Sequence, residues 1–246
     1  MNIQRFWNVA PVATINLVDM GILTSHFNKI ITRIGVSAFD TYCNTSYPAP
    51  NHNRVKRNRT STQRITAAAF DMNPTPNDFF FEYQKINGFT RGLLHFNTSK
   101  EMKTLEDAIE QQIADYFSFL HGKTSHVLNL FNNGILSLDI WAAVQRGEGA
   151  YHENHVHEGV ILSGVYYCSI PDDSAPLVMY KPENTECKND EVDHQVILPV
   201  EGQMILFPPW LLHGVPRAIR TTNVPRVSFA FNLNGPILGD PWDLTR

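Results

Sequence analysis

The chain has 246 residues, enough for one large domain or two small ones with a real core. Its 43% hydrophobic and 18% charged content is that of a globular protein and excludes a disordered one. A formal net charge of −4 argues against a general nucleic-acid binder, and no apolar stretch approaches the length of a membrane span.

The N-terminal segment MNIQRFWNVAPVATINLVDMGIL has no basic region followed by an unbroken apolar run. No signal peptide is expected from it, and the expected location is the cytoplasm. Cys43, Cys168 and Cys187 have no metal-type spacing, and their odd number speaks against a disulfide framework.

Two helices are legible in the first half. Residues 19–34 align Ile22, Leu23, Phe27, Ile30, Ile31 and Ile34 on one stripe, with Asp19 as N-cap and Gly35 as stop. Residues 99–120 align Met102, Leu105, Ile109, Ile113, Tyr116 and Leu120, after a Thr98-to-Glu101 capping box. Both stripes read as core packing. Between them, residues 47–64 form a polar, proline-bearing segment with Arg54, Lys56, Arg57, Arg59 and Arg64 close together. It reads as a solvated loop, or as a cover over an anionic substrate.

From about residue 134 the period changes. GILSLDIWAAVQR, GVILSGVYYCSIP, LVMYK, HQVILPV, GQMILFPPW and RVSFAFNLN read as short strands separated by Gly, Pro, Asn and Asp. The expected fold is mainly β with packed helices: a β-sandwich or a jelly-roll (double-stranded β-helix) core backed by N-terminal helices. The expected organisation is a single domain over 1–246. Residues 1–130 provide helical support and the polar loop, and residues 131–235 form the core.

The stretch YHENHVHEG, 151–159, puts three histidines and two glutamates ahead of an apolar strand. His155 and His157 are two apart, so on a strand both face the same way, with Cα atoms about 7 Å apart. Two such imidazoles can chelate one ion, and FPPWLLHGV offers His213 as the third ligand from another strand. A carboxylate is the usual third donor at the second position of such a pair, where this chain has His157. Glu153, on the same predicted face, and Glu158 are candidate substitutes. His152, His194, His121 and His126 read as ordinary surface or core histidines.

Beyond His213, Arg226 and Ser228 alternate on a strand and can face one cavity. A guanidinium fork with a hydroxyl is suited to a carboxylate. An inward arginine without an anion would carry a prohibitive desolvation cost.

At these residues the sequence resembles the non-haem iron, 2-oxoglutarate-dependent oxygenases. It is most similar to a group with H-x-H, S-G-V-Y-Y, F-P-x-W-L-x-H and R-x-S-x-x-F-N. Those motifs read here as His155-Val-His157, SGVYY at 163–167, FPPWLLH at 207–213 and RVSFAFN at 226–232. The resemblance covers about residues 88–235. It implies Fe(II) at His155, His157 and His213, and 2-oxoglutarate at Arg226, helped by Ser228 and Tyr167. It further implies O₂ as second cosubstrate, with decarboxylation of 2-oxoglutarate coupled to C–H oxidation, hydroxylation above all. Histidine stands where the wider superfamily has H-x-D, and Glu158 follows the pair where close relatives have proline.

Three other readings stay open. An alternative alignment, His157-Glu158-Gly159, resembles the H-x-G of halogenating members, but leaves His155 unexplained. A metal-binding cupin, a dioxygenase or isomerase that does not use 2-oxoglutarate, shares the spacing of Gly149, His155, His157, Gly202, Pro208 and His213. Its expected glutamate falls on Ile161 or Leu162, and it has no need of Arg226 and Ser228. A non-catalytic module that kept the fold and lost the metal is a third class. The expected partner is a small-molecule substrate, anionic by the reading of the basic loop; neither membrane nor nucleic acid is expected, and a homodimer stays open.

Overall fold

The computed structural model describes residues 1–44, 78–84, 100–121, 125–145, 151–183, 193–217 and 224–236. In chain order these give β1 (Asn2–Phe6), β2 (Ala10–Asn16), α1 (Ser25–Asn44), β3 (Asp78–Gln84), α2 (Lys100–His121) and α3 (Ser125–Asn132). Then follow β4 (Ser137–Gln145), β5 (His152–His155), β6 (Leu162–Ser169), β7 (Leu177–Tyr180), β8 (His194–Ile197), β9 (Gln203–Phe207), β10 (His213–Val215) and β11 (Arg226–Asn234).

Alternation along the strands decides which face is apolar. On β11, Val227, Phe229, Phe231 and Leu233 join the large apolar cluster, while Arg226, Ser228 and Ala230 line a cavity on the other side. On β4, Leu138, Ile140, Ala142 and Val144 take the cluster side and Ala143 the cavity side. β6 does the same with Leu162, Tyr166 and Cys168 against Val165 and Tyr167. The strands pair antiparallel in a seven-stranded sheet, β1-β2-β9-β6-β11-β4-β3, and a four-stranded sheet, β5-β10-β7-β8. The two sheets form a jelly roll with the cavity between them.

The outer face of the large sheet is covered by helices. α1 lies against β6, β4 and β11. α2 buries Met102, Leu105, Ile109, Ile113 and Tyr116, the stripe expected from the sequence, and the Tyr116 hydroxyl donates to the Pro11 carbonyl at 2.8 Å. α1 is tied to the sheet by Tyr166, whose hydroxyl donates to Asn28 Oδ1 at 2.6 Å, with both residues buried. No helix among the described residues is long and apolar enough to cross a membrane.

The six strands expected after residue 134 are β4, β6, β7, β8, β9 and β11. Five strands were not anticipated. β5 and β10 are only four and three residues long, too short to carry a period. β1 and β2 form a hairpin across Trp7 and Asn8, both at positive φ, as a primed turn requires. β2 contains a proline and β1 is largely exposed, so neither alternates cleanly. β3 adds a strand at the opposite edge of the large sheet, beside β4.

The first helix begins and ends later than its stripe suggests. The Asn16 side chain accepts from the N–H groups of Val18 and Asp19, which holds that segment as a turn, so Asp19 is no cap. Thr24 caps the helix instead, its Oγ1 accepting from Phe27 N at 3.0 Å, and Ile22 stays exposed. Gly35 does not stop the helix. It lies inside α1 where the helix meets the sheet closely: a Cβ there would stand 3.2 Å from Val227 Cγ1. Thr98 of the expected capping box and the basic segment 47–64 lie outside the described residues.

Gly164 shows how tight the packing is. A Cβ on it would overlap the Phe231 ring and come within 2.8 Å of the Ile205 carbonyl oxygen. Gly164→Ala is expected to destabilise the protein by about 1–3 kcal/mol, as overpacking does. Thermal denaturation should read this as a Tm several degrees lower; an unchanged Tm would mean that the ring has room to move.

Candidate metal centre

Strand pairing makes the first contact of the site. β10 runs antiparallel to β5 with His213 directly opposite His155, and on its other side His213 pairs with Met179 of β7. Residues opposite each other on one face bring their side chains together; here the His155 and His213 rings are 4.3 Å apart between centroids. His157 does not share the strand with His155. β5 ends at His155, and His157 lies two residues beyond it, its backbone N–H donating to the Pro209 carbonyl at 2.8 Å. That anchor brings its ring to 4.9 Å from His155 and 5.1 Å from His213. The strand alternation expected for the pair is therefore replaced by irregular backbone past the end of β5, and the convergence holds all the same.

The three imidazoles each offer a nitrogen within 4.8 Å of the others. Among the described residues this is the group of His, Cys, Asp and Glu able to hold a metal, and no carboxylate is in it. Glu158 is exposed in the following turn. Glu153 belongs to β5, and its side chain lies outside the description.

Burial sets the charge state of two of the three rings. Burial holds His157 and His213 well below the ordinary imidazole range, and the neighbouring imidazoles, His155 first, push the same way. Neutral rings keep lone pairs for a metal. His213 Nδ1–H donates to the Leu211 carbonyl at 2.8 Å, which leaves its Nε2 as the donor atom. His157 Nε2 lies 3.3 Å from His213 Nε2. Two nitrogens bound at a right angle to one ion, each at roughly 2.1 Å, would lie about 3 Å apart. The residues present fit a first-row divalent ion, for which imidazole is a suitable ligand.

The remaining candidates face the same cavity. Arg226, Ser228 and Tyr167 line it with His152, His155, His157 and His213, and apolar residues including Val165, Leu177 and Phe207 complete the wall. Arg226 and Ser228 are both 2% exposed. The Arg226 guanidinium stands over the Tyr167 ring, 5.3 Å from its centroid. Tyr167 is paired in register with Ser228. Burial pushes the Tyr167 phenol up, against the opposing influence of Arg226, so it stays protonated and able to donate.

Three residues that the sequence reading left aside also belong here. His152 lines the cavity rather than being an ordinary histidine; burial first, then Arg226 and His155, hold it well below the imidazole range. It lies three residues before His155, off the two-residue period, so no spacing rule marks it. Asn232 approaches His157 Nδ1 with its side-chain amide at 3.3 Å. It lies on the Arg226 parity of β11, a signal the sequence did carry. Trp141 tilts its ring 6.3 Å from that of His157.

Three buried neutral histidines make a testable linkage. The unfolded chain takes up protons at the ordinary imidazole value of about 6.5, while the folded rings resist them. Stability is therefore expected to be full above that value and to fall as pH drops below it. In metal-free, chelator-treated protein, Tm should drop between pH 7.5 and 5.5, and His152→Gln should flatten the drop. A Tm profile identical in the two proteins would mean that His152 is not held neutral.

Comparison with known proteins bears on this geometry. Residues 139–232, from β4 into β11, match the model of a family described as "Putative 2OG-Fe(II) oxygenase". No curated protein matches the sequence. Among solved structures, the chain is similar to a prolyl-4-hydroxylase of Pseudomonas putida, at 13% identity and TM-score 0.50, covering 92% of each chain. It is also similar to a Trichoplax adhaerens prolyl hydroxylase in complex with a hypoxia inducible factor peptide, at 15% identity and TM-score 0.49, covering 91% of this chain and 83% of that one. A third is HygX of Streptomyces hygroscopicus with nickel and 2-oxoglutarate bound, at 10% identity and TM-score 0.46, covering 95% and 86%. At these identities the first likeness is one of fold.

Proposed function

We propose that this chain is a 2OG-Fe(II) oxygenase using Fe(II), 2-oxoglutarate and O₂, with His155, His157 and His213 as the metal ligands and Arg226 as the cosubstrate anchor; the match of residues 139–232 to that family's model supports the reading. The reaction is then C–H oxidation, by hydroxylation, of a small-molecule substrate. The observation that carries the reading is the convergence of three imidazoles and one buried guanidinium on a single cavity between the sheets.

Each residue has a distinct task. His155, His157 and His213 would hold the ion, with burial keeping the rings of His157 and His213 neutral. When bound, Fe(II) supplies the oxygen activation that couples decarboxylation of 2-oxoglutarate to substrate oxidation. Arg226 receives the far carboxylate of 2-oxoglutarate through its planar fork. Ser228 and the protonated Tyr167 phenol add donors to the same carboxylate. The apolar wall of Val165, Leu177 and Phe207 excludes water, which strengthens the charge pairing inside.

The cupin reading, an enzyme without 2-oxoglutarate, is weakened because Ile161 and Leu162, where its glutamate would stand, are buried apolar residues, and because it has no need of Arg226 and Ser228. The halogenase alignment is weakened because His155 stands within the imidazole group.

An anaerobic titration of the Fe(II) protein with 2-oxoglutarate separates these readings. A weak visible charge-transfer band, followed by succinate release under O₂, is expected; iron binding without either response would favour the cupin. His213→Ala is expected to abolish both responses. Arg226→Ala removes a charge-assisted pairing of about 1.5–3 kcal/mol, so the 2-oxoglutarate needed for half-saturation should rise about 10–100-fold. A titration unchanged in Arg226→Ala would remove that residue from the cosubstrate site.

A further inference from the structure

A polar pair touches the imidazole group from the large sheet. Ser163 on β6 and Asn232 on β11 are register partners, 1% and 3% exposed. Ser163 Oγ donates to Asn232 Oδ1 at 2.8 Å, and Asn232 Nδ2 faces His157 Nδ1 at 3.3 Å. An amide N–H can only donate, so the ring nitrogen it meets must accept, and the His157 proton sits on Nε2. That proton points at His213 Nε2, 3.3 Å away, which is open to accept because His213 Nδ1–H already donates to the Leu211 carbonyl. From Ser163 through Asn232, His157 and His213 to Leu211, every donor meets an acceptor.

In this arrangement His157 Nε2 carries the proton and is not the atom free to ligate. A protonated Nε2 has no lone pair to give. Ligation through Nε2 needs the proton on Nδ1, and then an acceptor must stand where the amide N–H stands now. A half-turn of the Asn232 amide supplies it: Oδ1 comes to face Nδ1–H, and Nδ2 comes to face Ser163 Oγ. A serine hydroxyl accepts as readily as it donates, so the reversed arrangement is also satisfied at Ser163.

Resting on the reading of His157 as a metal ligand, we propose that Asn232, backed by Ser163, is a positioning residue that selects the tautomer of His157. Its amide reverses when the metal binds. An asparagine can serve both states where a fixed donor or a fixed acceptor serves one. An apolar side chain at 232 would leave the Nδ1–H of the ligating tautomer buried without an acceptor, a penalty that falls on metal binding.

Zn(II) titrations of the parent, Asn232→Leu, Asn232→Asp and His157→Ala test this, together with long-range ¹H–¹⁵N spectra of protein labelled with ¹⁵N-histidine. Asn232→Leu is expected to weaken Zn(II) binding about 10–100-fold. Asn232→Asp, always an acceptor, is expected to bind within a few-fold of the parent or more tightly. In the parent, the His157 proton should move from Nε2 to Nδ1 as Zn(II) is added. Parent-like affinity in Asn232→Leu, tenfold weaker binding in Asn232→Asp, or a His157 proton on Nδ1 before metal is added would overturn the proposal. If Asn232→Leu does not fold, the aspartate variant and the spectra decide. Unchanged Zn(II) binding in His157→Ala would instead remove His157 from the ligand set, and the tautomer role with it; loss there with none in Asn232→Leu removes the tautomer role alone.

Discussion

β10 is three residues long, yet the metal group depends on how it is held. It is flanked by β5 and β7, so His213 cannot slide along the sheet without breaking pairs on both sides. A one-residue slip would turn His213 to the opposite face and away from His155. The loop before it adds two more constraints. The Pro209 carbonyl accepts from His157 N, and the Leu211 carbonyl accepts from His213 Nδ1. Residues 207–213 thus fix one imidazole by register, orient it by a side-chain bond, and anchor a second by its backbone. The F-P-x-W-L-x-H spacing has a mechanical meaning: the Leu211 carbonyl orients the His213 ring, and the Pro209 carbonyl holds the backbone of His157.

β11 carries the opposite kind of constraint, the separation of two environments by one strand. Its even-numbered residues include Arg226, Ser228 and Asn232, all nearly fully buried; its odd-numbered residues are core apolar side chains. Burying a guanidinium and an amide costs several kcal/mol unless each finds partners. The cost is met by the apolar packing behind the same strand, where Phe229 and Phe231 are fully buried against helix and sheet. Gly164, beneath Phe231, shows how little slack that packing has. A rigid apolar side is what allows the cavity side to hold polar groups at fixed spacing.

The electrostatics of the cavity follow from the same burial. Burial first, then neighbouring groups with His155 and Arg226 among them, hold His152, His157 and His213 below the ordinary imidazole range. Burial likewise keeps the Tyr167 phenol protonated beside the Arg226 guanidinium. Charges of opposite sign brought close in such a low-dielectric space attract strongly.

The sequence alone determined much of this. Short runs rich in Val, Ile, Phe and Tyr between Gly, Pro, Asn and Asp marked β4, β6, β9 and β11, the helical stripe marked α2, and three histidines with one Arg-x-Ser pair marked the candidate site, because burial of apolar side chains imposes local patterns that a linear reading can detect. Where those periods were absent, the sequence was silent or misleading. β5 and β10 are too short to show one, the Asn16 turn delays α1 past its stripe, and His152 sits off the period that picked out His155 and His157. Only the tertiary structure decided that His157 lies past the end of β5 with its backbone held on Pro209, and that Asn232 of β11 meets it from the large sheet. Those contacts join residues dozens of positions apart, and their geometry depends on how two sheets face each other, which no local pattern encodes.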